Sequence, residues 1–514
     1  MNKTLGMTQS CFRKLLKDRT GRRVLSLAGL ILALGATGIW ALISIHPAVS
    51  AEATLDMQGI GAQKTVEHFI GLDKVEPFSH RRRPFEKTEG GEVEVPVDLG
   101  LEDTVDMALQ NHLLSRSAKE KIDEAIGRRW QFMSALLPHV AAGISQKRTG
   151  RENLVPMGFL NGGMIGPYNS FDARFQLMQK IIDLSAFSQF QAGRVDVQIA
   201  QYEDKLARQE VILLASLAYL EALRAYGGYQ AAEADYKLAG RLMKQARHQH
   251  EAGIASGVDV ARAETRFAEA RLRLEKSRTD VHETYLELQR VTGLSYYSAV
   301  RLMNSLCFID ESVPSIEEAT VIAAENRVEM QIAQDRVRAS QYRLYGAGAE
   351  ALPKFEMTGD YGLSGLKPDH TARETGRVMF SINMPIFEGG LIKGKVQEAL
   401  SQKRQMEIQY GDLKRQVEED VHLAVWTIET SIEQVKAAGK VVALAQRELK
   451  LANHRFAEGV GDNVEVVNAQ TILAQAEDEY VSALAQYHTA RMNLYFSLGK
   501  TESFYLQETL QPKE

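Results

Sequence analysis

At 514 residues the chain is long enough for several ordinary domains or for one extended body. Aromatic residues make up 7% and charged residues 25%, and the helical patterns are rich in alanine, a profile unlike that of a compact enzyme. Residues 1–51 carry seven basic residues and one acid, so the chain without them moves from a formal charge of −5 to −11; with no basic run in its helices, this argues against a nucleic-acid partner.

Residues 1–51 read as a signal peptide. Arg13, Lys14, Lys17, Arg19, Arg22 and Arg23 form a basic region, Val24 to Ile45 is apolar, and Val49-Ser50-Ala51 offers a small-residue cleavage site. The apolar run is also long enough for an uncleaved anchor. Cys11 precedes it and Cys307 stands alone, so no structural disulfide is expected. Residues 52–97 read as a linker or solvated tail, with the basic cluster Ser79-His80-Arg81-Arg82-Arg83-Pro84 and the polar Glu89-Gly90-Gly91-Glu92.

Prolines mark out the helices. There is none between Pro167 and Pro314, and none between Pro385 and Pro512, as the cost of an interior proline requires of long helices. Long helices are predicted over 188–250 and 391–457, about 95 and 100 Å at ~1.5 Å per residue. Opening helices over 99–134 and 314–350, and return helices over 258–292 and 464–498, are about half as long. Two short helices end to end match one long one, which predicts a cylinder of paired helices. Gly227-Gly228 and Gly240 predict a bend in the first long helix.

Each return helix carries an alternating 3-4 repeat. One begins Val260, Ala263, Phe267, Ala270, Leu274; the other begins Val466, Ala469, Leu473, Ala476, Tyr480. This is coiled-coil periodicity, which an ordinary long coiled coil would also show.

Four segments switch to period 2. Val140, Ala142 and Ile144 alternate with His139, Ala141 and Ser145; Phe171, Ala173, Phe175 and Leu177 alternate with Asp172, Arg174 and Gln176. Phe355, Met357, Gly359, Tyr361 and Leu363 alternate with Glu356, Thr358 and Asp360; Val378, Phe380, Ile382, Met384 and Ile386 alternate with Met379, Ser381 and Asn383. Runs of about 10 residues with one apolar face match transmembrane β-strands. Four strands cannot close a barrel, and an open edge in lipid leaves backbone groups unpaired. Several copies must then complete it together, and a cyclic trimer gives twelve strands.

The chain is duplicated. Gly253 matches Gly459 and Gly293 matches Gly499, while Leu101-Glu102-Asp103 matches Ile316-Glu317-Glu318 and Leu137-Pro138 matches Leu352-Pro353. Around Gly253 and Gly459 each copy reads as the tip of a helical hairpin. Glycines stop the arriving helix, and a polar side chain such as Asp462 or Asn463 caps the returning one.

The chain resembles the TolC family of outer-membrane efflux proteins over about residues 97–500. The resemblance rests on the duplicated plan, on Leu-Pro ahead of each strand pair, and on Met384-Pro385-Ile386-Phe387-Glu388-Gly389-Gly390. It rests also on Arg455-Phe456-x-x-Gly459 with Glu465-Val466 and Ala469-Gln470. It implies a mainly α chain with a small transmembrane β part, assembled as a trimer with a twelve-stranded barrel in the cell outer membrane and a helical barrel in the periplasm of a Gram-negative-type cell. The parts are a first repeat over 98–313, a second over 314–500 and a tail over 501–514.

The resemblance implies a passive exit duct for a tripartite efflux pump or type I secretion system. The tips would meet a periplasmic adaptor that joins the duct to an inner-membrane pump or ABC exporter. The tip residues are then Gly253, Gly257, Arg455, Phe456, Gly459 and Gly461. The family often lines its narrow mouth with acids just past the second tip, which nominates Glu465, with Asp462 and Asp259 after it. Asn468 stands where a further acid is usual, the first tip has Gln249-His250 in place of Arg455-Phe456, and Lys180 replaces the proline seen at Pro385.

Gly389-Gly390-Leu391-Ile392-Lys393-Gly394-Lys395-Val396 nearly fits a phosphate-binding loop, but Val396 lacks the hydroxyl for Mg²⁺ and no parallel α/β pattern surrounds it. The glycines more simply turn a strand into a helix. No catalytic motif, cofactor or metal site is nominated. The rival reading is a periplasmic coiled-coil adaptor that conducts nothing; lipid-facing strands distinguish the two.

Overall fold

The computed structural model describes residues 97–153, 163–253, 255–368, 371–458, 460, 463–506 and 511–512. The signal peptide, the linker up to residue 96, and Gly459, Gly461 and Asp462 lie outside the described residues.

The first half opens with β1 (Val97–Leu99), α1 (Leu101–Asn111) and α2 (Leu113–Ser134). Strands β2 (His139–Thr149) and β5 (Tyr168–Ile182) follow, with a small pair between them, β3 (Glu152–Asn153) and β4 (Met164–Ile165). Then come the long α3 (Leu184–Glu251) and its return α4 (Gly257–Thr292). Short strands β6 (Val300–Leu302) and β7 (Asn304–Ser305) link to the second half. That half repeats the plan with α5 (Ile316–Asn326), α6 (Val328–Ala349), β8 (Lys354–Gly365), β9 (Arg373–Asn383), α7 (Leu391–Ala457) and α8 (Asn463–Ser497). It ends in α9 (Thr501–Leu506) and β10 (Gln511–Pro512).

The long and return helices agree with the proline gaps to within a few residues. The opening helices differ from expectation, because each is two helices. The backbone turns extended at His112 (φ −67°, ψ 138°) and at Arg327 (φ −65°, ψ 121°). The cause is tertiary. At the first break the end of α4 meets the end of α1: the Asn111 amide donates to the Thr292 carbonyl at 2.9 Å, beside Gly293. At the second, Gly499 after α8 lies against the backbone of Asn326 at the end of α5. So α2 and α4 stack along α3, and α6 and α8 along α7, joined at repeat-related points.

The seams of the return helices are buried. Ala263, Ala270, Leu274 and Leu288 of α4, and Val466, Ala469, Ala476, Tyr487 and Ala490 of α8, all lie in the interior. Small residues there let helices approach closely. The glycines of α3 serve the same end, for the helix runs unbroken through them. A Cβ on Gly227 would stand 3.0 Å from Val481, and one on Gly240 3.2 Å from Phe267.

Two apolar cores mark the midpoint of the helices. One gathers Leu99, Val105, Val211, Ile212, Ala215, Tyr219, Leu288 and Phe504; the other gathers Ala319, Val421, Val425, Ile428, Tyr487 and Leu494. Among the described residues α3 is the one helix long and apolar enough to cross a membrane, but its apolar stretch fills the first core instead. A polar lock sits beside the second. Arg491 of α8 is paired with Glu311 at 2.5 Å, and the His488 ring lies 2.8 Å from the Cys307 carbonyl.

Candidate functional site: the open sheet and the hairpin tips

Strands β2, β5, β8 and β9 form one antiparallel sheet in that order, leaving β2 and β9 as edges. The register aligns all four alternations. Val140, Leu177, Gly359 and Val378 form one cross-strand row; Ala142, Phe175, Tyr361 and Gly376 form the next. Phe355 pairs with Ile382, and Met357 with Phe380. Every apolar set predicted from the sequence therefore lies on one face. That face is open: Ile144 is 80% and Phe380 70% exposed. A sheet in water would not leave such a face uncovered, whereas one in lipid requires it. Met384 and Ile386, read as part of the fourth strand, fall beyond its end at Asn383 and are exposed.

The opposite face is polar and internally paired. Arg174 of β5 bonds Asp172 at 2.5 Å and reaches across to Asp360 of β8 at 2.9 Å. Arg377 of β9 lies 3.3 Å from the same carboxylate. The alternation showed these residues as the polar side of each strand; that they form one network across three strands needed the register.

Gly389 and Gly390 have φ of +59° and +92°, and Gly390 caps the start of α7. This is the strand-to-helix turn expected of them.

The first tip closes through its own side chains. Gly253 has φ +76° and nothing within 4 Å of a Cβ placed on it. The His250 ring nitrogen Nδ1 lies 2.8 Å from the Ala255 carbonyl, spanning the loop. Ser256 caps α4, and Asp259 accepts from the Ser256 backbone at 3.0 Å and from its hydroxyl at 2.6 Å. Those bonds hold the Asp259 carboxyl below its ordinary range. Asp259, nominated for the pore mouth, is thus engaged as a helix cap. Gly257 is the first residue of α4, 3.9 Å from the His250 ring at its Cβ position.

The second tip is built differently. Phe456 packs into a cluster with Leu449, Ala452, Val466 and Ala469, supported by Leu238 and Leu242 of α3. Arg455 in the last turn of α7 pairs with Glu465 in the first turn of α8, Nη2 to Oε1 at 3.4 Å. The sequence nominated these two for separate roles; the fold brings them together.

Just above the tips lies a buried polar junction that the sequence did not reveal. Asp235 of α3 accepts from Arg266 of α4 at 2.9 and 3.0 Å and from Gln470 of α8 at 3.2 Å. Arg266 and Asp235 are each 4% exposed. A charge buried this deeply is stable only when paired. Its sequence signals were Arg266 beside the seam residue Phe267 and Gln470 in the second-tip motif.

Comparison with known proteins follows this architecture. The sequence profile of the outer membrane efflux protein family matches residues 104–294 and 320–500. Outer membrane protein TolC of Escherichia coli is 22% identical over 411 residues, covering 76% of this chain and 80% of that one. The alkaline protease secretion protein AprF of Pseudomonas aeruginosa is 22% identical, covering 78% of this chain and 84% of its own. In fold, the CmeC outer membrane channel of Campylobacter jejuni aligns with a TM-score of 0.69 at 18% identity, covering 78% of this chain and 86% of that one.

Proposed function

The chain belongs to the outer membrane efflux protein family, and from that premise we propose that it is the outer-membrane exit channel of a tripartite efflux pump or type I secretion system. The observation that carries the reading is the four-stranded sheet: apolar on one face, charged and paired on the other, open at both edges, and continuous with two long helical hairpins. An open edge in hydrocarbon leaves backbone donors and acceptors unpaired at several kcal/mol each. Joining β9 of one copy to β2 of the next removes every edge, and three copies give a barrel of twelve strands. The polar face then lines a water-filled duct and the apolar face meets lipid. A periplasmic coiled-coil adaptor has no use for such a face.

In this reading the hairpin tips lie in the periplasm. Gly253, Gly257, Arg455, Phe456, Gly459 and Gly461 mark the surface that meets a periplasmic adaptor, itself joined to an inner-membrane pump or ABC exporter. Glu465 is the first candidate for the narrow mouth, with Asp462 and Asp259 ranked after it. The channel is a passive duct with no catalytic residue. AprF is named for protease secretion and the family for efflux; this chain's cargo belongs to one of those two kinds of system.

The test is fractionation followed by reconstitution. The protein is expected in the outer membrane, running as a heat-sensitive oligomer on unboiled gels and forming steady pores in planar bilayers. A soluble periplasmic protein without pore activity overturns the reading.

A further inference from the structure

The pair between Arg455 and Glu465 bears on what the mouth of the duct selects. We propose that Arg455 is a counterion built into the second tip, which sets the effective charge of Glu465 and so the ion preference of the channel. The inference rests on the reading that places Glu465 at the periplasmic mouth.

Three facts carry it. Arg455 Nη2 and Glu465 Oε1 are 3.4 Å apart, bridging the last turn of α7 and the first turn of α8. Both side chains are about half exposed, at 56% and 45%. The field of the pair therefore reaches the surrounding water, and the pair is weak enough to exchange partners. Finally, the duplication supplies an internal control. The positions matching Arg455 and Glu465 in the first tip are Gln249 and Asp259. There the acid is held by its own helix cap, bonded to the Ser256 backbone and hydroxyl, and the partner position is uncharged. The first tip places its cross-helix pair elsewhere, between Arg247 of α3 and Glu264 of α4 at 2.6 Å, and Asp259 faces Arg262 of its own helix at 3.8 Å.

The electrostatic consequence follows from distance. A carboxylate with a guanidinium at salt-bridge distance presents a dipole, whose potential falls off faster than that of a lone charge. A ring of such pairs attracts cations less than a ring of bare carboxylates. Arg455 thus tunes selectivity by offsetting the charge of Glu465. Removing it exposes the acid and raises cation preference; removing the acid lowers it.

The test uses four full-length proteins in planar bilayers at low salt, where screening is least: wild type, Arg455→Gln, Glu465→Gln and the double variant. The readouts are the cation-over-anion permeability ratio and block by hexamminecobalt(III) added on the tip side. Glu465→Gln is expected to lower the ratio and weaken the block. Arg455→Gln is expected to raise the ratio by roughly twofold or more and strengthen the block. The double variant, which removes both charges of the pair, is expected to lie between the two single variants and near wild type. If Glu465→Gln changes nothing, the placement of Glu465 at the mouth fails, and the proposal with it. If Glu465→Gln behaves as expected but Arg455→Gln leaves selectivity unchanged or lowers it, the counterion role alone is overturned. A double variant that stays at the Glu465→Gln ratio also overturns it, since Arg455 would then add no charge at the mouth.

Discussion

Two glycines with the same backbone conformation show how a residue's cost depends on its surroundings. Gly253 and Gly499 have φ of +76° and +70°, a region that costs an L-residue about 1–2 kcal/mol. A Cβ on Gly253 meets open space, whereas one on Gly499 would lie 2.8 Å from the Asn326 backbone. Gly253→Ala is expected to lower stability by about 1 kcal/mol or slightly more. Gly499→Ala should cost clearly more and reduce folded yield, as thermal unfolding of the two purified variants would show; equal losses would argue against the contact. His488 provides a pH prediction. Burial lowers its pKa to about 4 from 6.5, and its Nε2–H donates to the Cys307 carbonyl. The folded state therefore favours the neutral ring. That contribution is complete above pH 6.5 and is lost as pH falls towards 4, by up to about 3 kcal/mol. His488→Gln should flatten the pH dependence of unfolding between 6.5 and 4, and an unchanged slope would place the dependence elsewhere.

At the scale of elements, the strands carry a sharper test than the helices. Phe175 and Phe380 lie on the open apolar face, and Ser381 is the next residue of β9, directed to the polar face. Arginine on a lipid face near the bilayer midplane costs about 2–4 kcal/mol, and much less on a lumen face. Phe175→Arg combined with Phe380→Arg is expected to reduce the outer-membrane oligomer severely, while Ser381→Arg leaves it near wild type. Normal oligomer from the double variant would remove the barrel assignment. The long helices carry less information individually, since their seam repeat also suits a plain coiled coil. Their partners are fixed by tertiary contacts such as the Asp235 junction among α3, α4 and α8.

At the scale of the whole molecule, the open edges β2 and β9 imply neighbours. With Cys11 and Cys307 replaced by serine, cysteines at Ala141 on β2 and Thr375 on β9 test this directly. Both sit on the polar face, where a short water-soluble bis-maleimide would bridge them if β9 of one copy lies beside β2 of the next. Outer-membrane protein carrying both is expected to give covalent dimers and trimers on denaturing gels, and either single variant only dimers or none. Failure of the double variant to cross-link would mean that the edges are closed some other way.

The sequence alone disclosed what is periodic and what is repeated. Proline gaps bounded the long helices because one interior proline costs about 3 kcal/mol, and the period-2 segments named the apolar sheet face because side chains alternate strictly along a strand. Gly253 located the first tip because few residues other than glycine tolerate its φ of +76°. What depends on contacts between distant segments left no periodic mark. The breaks at His112 and Arg327 have no proline or glycine to announce them; they arise where the return helices end against Asn111 and Asn326. The charge network of Arg174, Asp360 and Arg377 needed the register of three strands. Arg455 and Glu465, ten positions apart and read from the sequence as having separate roles, became one ion pair only when the tip turned α7 back onto α8.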